Sequence, residues 1–255
     1  MKLSKTLFTL LLLPAFALAQ GLVIETSMSG IPMMGDEVQT LSSMAVPKKF
    51  KTGLRKDEYV IVRLDKEMMY RVNTEKKTYM ELTFTQLDEK RKALMAQMGS
   101  QMEQMKAQMK NVPEEQRKMM EKMMASMGGG SETKVDVKAS GDKLKIAGYD
   151  AIKYTLTQDG KEVASIWASK DVPEYGNLKK DYSEFGRKMA TLSPGMSKSL
   201  SEAMHSIDGF PLQTTMMNGM KIAVTKIEKK AVADSEFDVP AGYTKTEEKT
   251  GGRPQ

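Results

Sequence analysis

Residues 59–82 read YVIVRLDKEMMYRVNTEKKTYMEL, and this stretch decides the fold class. Two runs rich in β-branched and aromatic residues, 59–64 and 67–72, precede a polar turn at 73–77. A third run of the same kind follows at 78–82. Short strand-like runs joined by polar turns are typical of antiparallel hairpins, because each turn returns the chain beside the strand before it. The stretch therefore predicts a mostly antiparallel sheet.

Strand-like sequence continues on both sides of this stretch. It begins at Gly21 and resumes after Ser131, where runs at 149–157 and 161–168 flank Asp159-Gly160, a dipeptide typical of tight hairpin turns. A final hairpin is predicted around Asn218-Gly219, and residues 235–239 are predicted to add a short edge strand. The predicted sheet thus extends through most of the chain.

Two methionine-rich segments interrupt the predicted strands. Apolar residues at helical spacing start after Thr85, and Pro113 suits the first turn of a second helix that stops at Gly128-Gly129-Gly130. These segments predict a helical hairpin over residues 85–130. Its methionines, which include every candidate ligand-binding residue of the chain, are Met95, Met98, Met102, Met105, Met109, Met119, Met120, Met123, Met124 and Met127.

A second helical pair is predicted between residues 178 and 204. Leu178, Tyr182 and Phe185 form one apolar stripe at spacings of four and three, and Ser193-Pro194 is predicted to cap the next helix. Helices of this kind cover one face of an antiparallel sheet. The predicted fold class is α+β, with a single domain over residues 20–245 and a polar tail over 246–255.

The N-terminus has the features of a secretory signal. Lys2 and Lys5 precede an apolar core, and Ala17-Leu18-Ala19 supplies the small residues that signal peptidase accepts. Cleavage is predicted between Ala19 and Gln20, which assigns residues 1–19 to the signal peptide. The apolar run is shorter than the roughly 20 residues that span a bilayer, and every apolar stretch after Gln20 is broken by charge within a few residues. We therefore expect a soluble periplasmic or otherwise secreted protein without a later transmembrane segment.

Composition excludes several classes of function. The chain has no cysteine, so we expect neither a disulfide nor a lipid on an N-terminal Cys. The formal net charge is +6, and its basic and acidic residues are interspersed rather than segregated into the basic stripe that nucleic-acid binders use. We therefore expect no nucleic-acid partner.

Several phrases of the mature chain together resemble one exported bacterial family, domain of unknown function 4412. They are YMEL at 79–82, VPEEQRKMM at 112–120, GYDAIKY at 148–154, VASIWA at 163–168 and FDVPAGY at 237–243. This family in turn resembles the periplasmic lipoprotein carriers LolA and LolB. The resemblance implies an unclosed, strongly curved half-barrel of antiparallel strands, with helices over a hollow that receives acyl chains.

The methionines allow three interpretations, which the sequence alone leaves open. The chain contains 24 of them, and Met packs irregular cores well. The same deformable side chains suit a surface that receives a lipid tail or an apolar peptide. Thioethers also select Cu(I), and the pairs Met95–Met98 and Met120–Met123 have ligand-like spacing.

No enzyme is expected from this sequence. His205 is the only histidine, and without cysteine it cannot complete a zinc site or a Cys–His pair. A triad with Asp208 lacks the Gly-x-Ser-x-Gly elbow that would support it. We expect no metal and no cofactor.

The favoured function is that of a carrier protein. Its apolar ligand, which is a lipid, an acyl chain or a lipoprotein, is held between a concave sheet and the methionine-rich lid. The alternatives are a Cu(I)-handling or oxidation-buffering protein and an envelope interaction protein whose partner is unknown.

Overall fold

The computed structural model describes residues 18–30, 37–109, 134–190 and 197–247. Their dominant feature is one curved, unclosed sheet of twelve strands, eleven of which follow one another in antiparallel order. Three α-helices and a short 3-10 helix complete the described part of the chain. The predicted curved antiparallel sheet with covering helices is confirmed at this level.

The sheet consists of two meanders. The first contains six strands: β1 (Leu18–Ser29), β2 (Gln39–Val46), β3 (Lys49–Arg55), β4 (Glu58–Arg63), β5 (Met68–Asn73) and β6 (Thr78–Thr83). The second contains five: β7 (Val135–Ile146), β8 (Tyr149–Gln158), β9 (Lys161–Ser169), β10 (Phe210–Met216) and β11 (Lys221–Ala233). Strand β1 pairs with β11, so the first strand of one meander joins the last strand of the other.

The predicted hairpins at 59–82 are confirmed, with Met68 opposite Arg63 and Val72 opposite Tyr79. The turn between β8 and β9 is also as predicted. Asp159 and Gly160 have φ of 52° and 74°, and positive φ at both central residues is the geometry of a type I′ hairpin turn. The predicted hairpin around Asn218-Gly219 joins β10 to β11.

Helix α1 (Phe84–Met109) follows β6 without a loop. It starts with a capping box in which the Gln86 N–H donates to Thr83 Oγ1 at 3.1 Å. In return, the Thr83 N–H donates to Gln86 Oε1 at 2.9 Å. Phe84 and Leu87, in its first turn, are buried in the main core. The first half of the predicted methionine-rich hairpin is thus helical, whereas its second half lies outside the described residues.

Helices α2 (Tyr175–Ala190) and α3 (Lys198–Ser206) form the predicted second pair. The predicted cap of α3 was wrong. Ser197 rather than Ser193 is the N-cap, because its hydroxyl accepts a hydrogen bond from the Leu200 N–H at 3.2 Å.

The predicted edge strand at 235–239 was also wrong, because a 3-10 helix occupies Asp234–Phe237. Its last residue, Phe237, is completely buried against Ile61 and Val72 on the face of the sheet opposite α2. A short strand, β12 (Thr244–Lys245), then pairs in parallel with β6 and forms one edge of the sheet.

Charged side chains fasten this C-terminal segment to the sheet. Arg63, buried on β4, donates two hydrogen bonds to Asp65, at 2.8 and 2.9 Å, and one to Asp238 at 2.9 Å. Lys49 and Lys51 on β3 pair with Asp234 and Glu236. The segment therefore lies across the outer face of β3 and β4, leaving the inner face to the helices.

Candidate functional site

The site begins with the aromatic stripe of α2. Tyr182 and Phe185 both contact Phe50 of β3, with ring centroids 5.1 and 4.5 Å apart, and Tyr182 also meets Phe210 of β10 at 5.4 Å. Leu178, one turn earlier, is fully buried in the same core. The apolar stripe of α2 thus packs over the inner face of the sheet. It contacts both β3 and β10, which lie on opposite sides of the strands β1, β2 and β11.

A hydrogen bond and an ion pair hold α2 in this position. The Lys48 N–H, in the turn between β2 and β3, donates to Asp181 Oδ2 at 2.7 Å. Glu174, just before the helix, pairs with Lys229 of β11 at 2.5 Å. This pairing holds the pKa of Glu174 below its usual value. These contacts tie the helix to both meanders of the sheet.

A cavity of about 910 Å³ lies between α2, α3 and strands β9 and β10. Its volume lies within the range of about 300–1,000 Å³ typical of small-molecule sites. Most of its wall is apolar, and the apolar lining residues are Ile166, Tyr175, Tyr182, Phe185, Met204, Ile207, Phe210 and Pro211.

A second compartment of about 250 Å³ lies beneath α2, against β1, β2, β3 and β11. The two compartments meet at the residues that line both, which are Tyr182, Phe185, Phe210, Pro211 and Thr214. Together they form one elongated apolar site, which we call the α2 cavity. Thr214, on β10, stands at the junction of its two parts.

Helix α3 closes one side of the α2 cavity through a close contact with α2. The imidazole of His205 lies directly against Gly186, at a point where no Cβ would fit without displacing the ring. The ring is oriented by its Nδ1, which lies 2.5 Å from the carbonyl oxygen of Ser201 one turn earlier. The only histidine of the chain thus has a positional role in the wall of the site.

Two of the aromatic lining residues are tyrosines, which add hydroxyl groups to the wall. Burial raises the pKa of both Tyr175 and Tyr182, so each remains a neutral hydrogen-bond donor. Among the described residues, neither hydroxyl has a hydrogen-bond partner. Both are therefore free to bind a polar group of a ligand.

The rim of the α2 cavity is basic. Lys179, Lys180 and Arg187 line it, whereas no carboxylate of the described residues does so. Asp208, in the loop before β10, pairs with both Lys179 and Lys170 at 2.6 Å. Hydrogen bonds from these two cations lower the pKa of Asp208 to about 2.

A third hollow, of about 510 Å³, lies at the end of β2, β3 and β4. Glu37, Lys51, Arg55, Lys56 and Glu58 line it, so acidic and basic groups alternate around its wall. Lys51 is engaged by Glu236, and Glu58 by Arg71. This wall of mixed charge suits an apolar ligand less well than the α2 cavity does.

The methionines predicted as the ligand-binding site all have side chains outside the described part of the structure, so that assignment stays a prediction. Met95, Met98, Met102, Met105 and Met109 belong to α1, but their side chains lie outside the described part of the structure. Met119, Met120, Met123 and Met124 lie outside the described residues altogether. The described cover of the sheet consists instead of α2 and α3, whose apolar stripe the sequence indicated without marking it as a site.

The predicted cleavage site lies in β1. Ala19 pairs with Val232, and Gln20 pairs with Ala231. Cleavage between them would remove two residues, Leu18 and Ala19, from a strand of twelve. The remaining ladder with β11 would be retained from Gln20 onward.

Within the described ranges, no three His, Cys, Asp or Glu side chains are grouped as metal ligands. None of the helices in the same ranges is both long enough and apolar enough to cross a bilayer.

The fold and the site together define a curved-sheet protein whose helices cover an apolar cavity with a basic rim. The chain belongs to the family described as domain of unknown function DUF4412, whose model matches residues 95–243. This confirms the resemblance to that family seen in the sequence. The matched range contains both helices of the α2 cavity and the whole second meander.

No curated protein matches this chain. Two solved structures of PNGF-II, in space groups C2 and P21, are similar to it, each with 11% identity and a TM-score of 0.38. Each match covers 89% of this chain, which spans only 31% of the PNGF-II chain. A likeness at this TM-score supports no conclusion about fold or function.

Proposed function

We propose that this protein is an exported, soluble carrier that binds an apolar ligand in the α2 cavity and catalyses no reaction. The ligand class is a lipid or an acyl chain, either free or attached to a lipoprotein. One observation supports the proposal above all, namely the elongated apolar cavity between α2, α3 and the inner face of the sheet. In this proposal the fold is a half-barrel of the LolA type.

The energetics favour such a ligand because burial of apolar surface contributes about 25 cal/mol per Å² removed from water. A chain that enters between Phe185 and Phe210 exchanges water for contact with both rings, since both rings line both compartments. The wall is also adaptable at one point, because Met204 of α3 lines the larger compartment. The methionine-rich segment from Met95 to Met127 is proposed as a lid over this site.

The test is to block the cavity at its junction. Thr214→Trp places an indole where the two compartments meet, and we expect it to abolish most of the fluorescence increase of the neutral probe N-phenyl-1-naphthylamine. Thr215→Trp is the matched control, because the next residue along β10 points to the other face of the sheet. Circular dichroism and the melting temperature establish that both variants fold.

The two variants separate the proposal from its competitors. Equal probe binding by Thr214→Trp and Thr215→Trp would show that the α2 cavity is not the apolar site. Loss of binding in Thr214→Trp alone would support it. A lid formed by the methionine-rich segment is tested separately by replacing residues 94–127 with a short flexible linker, which retains Phe84 and Leu87 in the core. We expect faster release of the probe.

A further inference from the structure

We infer that the ligand of the α2 cavity is an anionic amphiphile, with its chain between the aromatic rings and its carboxylate or phosphate head group at the rim. The inference rests on the proposed function and deepens it. It is based on the distribution of charge around the cavity, which has basic residues at its rim and no acidic residue among the described lining residues.

The basic residues of the rim are arranged as a row. Lys180, Ser183 and Arg187 are spaced by three and four residues and therefore lie along one side of α2. Ser201 and His205, one turn apart on α3, face the same cavity. An anionic group between the two helices would thus meet cations and hydroxyl donors from both sides.

Two of these cations are unpaired among the described residues. Lys179 is neutralised by Asp208, which it shares with Lys170. Lys180 and Arg187, by contrast, have no ion pair or hydrogen-bond partner among the described residues, and both are exposed. Arg187 can also bind a carboxylate or phosphate through two parallel hydrogen bonds. The rim therefore carries positive charge that the described residues leave unbalanced.

The hydroxyl groups inside the cavity are consistent with such a ligand. Tyr175 and Tyr182 lack hydrogen-bond partners among the described residues, so they can bind the ester or carboxyl oxygens that follow the head group of an amphiphile. A purely hydrocarbon ligand would leave these donors unused, which costs binding free energy in a buried site. A cationic amphiphile would face repulsion from the rim.

The experiment compares four single-chain probes with the same C12 chain, each below its critical micelle concentration, by isothermal titration calorimetry on the mature chain. They are dodecanoate, dodecyl phosphate, dodecyl maltoside and dodecyltrimethylammonium. We expect the anionic probes to bind about tenfold or more tightly than the maltoside, because one charged hydrogen bond is worth about a tenfold change in affinity. The preferred anion distinguishes a fatty-acid head group from a phosphate.

The double variant Lys180→Gln/Arg187→Gln should remove this preference, so that it binds the anionic probes and the maltoside with similar affinity. Its control is Lys143→Gln/Lys221→Gln, which removes the same net charge from exposed positions on β7 and β11. If anions and maltoside bind the native chain equally, the inference fails and the carrier function stands. If no probe binds, both fail. An anion preference that survives the double variant would also overturn the inference.

Discussion

Gly186 of α2 packs directly against the imidazole of His205 of α3, and this contact sets the distance between the two helices that cover the α2 cavity. A Cβ at residue 186 would overlap Nε2 of His205, so the present position of the ring depends on the glycine. The site therefore depends on a position that carries no functional group itself.

Gly186→Ala is expected to displace His205 and to alter ligand binding more than stability. The new methyl group would overlap Nε2, but that atom is at the end of an exposed side chain, which can rotate away. Alanine also gains up to about 1 kcal/mol over glycine in a helix, which offsets the strain. We expect weaker binding of N-phenyl-1-naphthylamine and a melting temperature within a few degrees of the native value.

Gly176→Ala is the matched control for this prediction. Gly176 also belongs to α2 and lines the cavity, but among the described residues no side chain and no neighbouring element lies within 4 Å of a Cβ placed there. The Gly176→Ala variant should bind the probe as the native chain does. Equal effects of the two substitutions would show that the contact with His205 does not set the geometry of the site.

The Arg63 network predicts an unusual order of stabilities. Asp65→Ala leaves a buried guanidinium with Asp238 as its remaining carboxylate, and we expect a loss of roughly 3 kcal/mol in the free energy of unfolding. Arg63→Met leaves only carboxylates, which are 29% and 55% exposed and can be hydrated. Arg63→Met should therefore lower the free energy of unfolding by less than Asp65→Ala does. Urea denaturation measures both, and the reverse order would contradict this account.

Asp208 is predicted to titrate far below its usual range. Lys170 and Lys179 lower its pKa from 3.8 to about 2. Because the folded-state pKa is depressed, the stabilisation by this carboxylate is present above pH 3.8 and is lost as the pH falls towards 2. The carboxyl carbon shift of Asp208 in an NMR titration should therefore have its midpoint near pH 2 at low salt.

Two conditions test the cause of that shift. Asp208, Lys170 and Lys179 are all exposed, so about 1 M NaCl should screen their interaction and raise the midpoint. The double variant Lys170→Gln/Lys179→Gln should raise it as well, at any salt concentration. A midpoint near 3.8 in the native chain at low salt would show that the ion pairs do not form in solution.

Export is predicted to yield a chain that begins at Gln20, with the sheet intact. The intact mass of the exported protein should correspond to loss of residues 1–19. A variant expressed from Met followed by Gln20 should have the same melting temperature as the exported form, because the ladder from Gln20 to Ser29 is retained. A mature mass that still included the first nineteen residues would refute the signal peptide.

The local features of this fold could be predicted from sequence, whereas its distant pairings could not. The hairpins of β4, β5 and β6 and the turn at Asp159-Gly160 follow from residue type and spacing over a few positions. The stripe of Tyr182 and Phe185 likewise indicates a buried helix face. No local signal shows that this face meets both Phe50 and Phe210, because those contacts depend on the pairing of β1 with β11.

The α2 cavity could not be predicted from the sequence for a related reason. The abundance of methionine predicts a ligand-binding surface within residues 95–127, whereas the described lining of the α2 cavity comes from ordinary core residues of two helices and several strands. Phe237 shows the same limit. Its neighbours alternate as in a strand. Three carboxylates around it, however, form ion pairs with basic residues of the sheet and so stabilise a 3-10 turn instead; the pairs are Asp238 with Arg63, Asp234 with Lys49 and Glu236 with Lys51.

The pairing of β1 with β11 also has a kinetic consequence. The two strands are about two hundred residues apart in the chain, so their ladder closes a very long loop. The chain must lose the conformational entropy of this loop before any hydrogen bond of the ladder forms. The hairpins within each meander have no such delay. Until the ladder forms, β1 and β11 each present an unpaired edge open to aggregation. We therefore expect slow folding limited by this last pairing, with each meander able to form its own hairpins first.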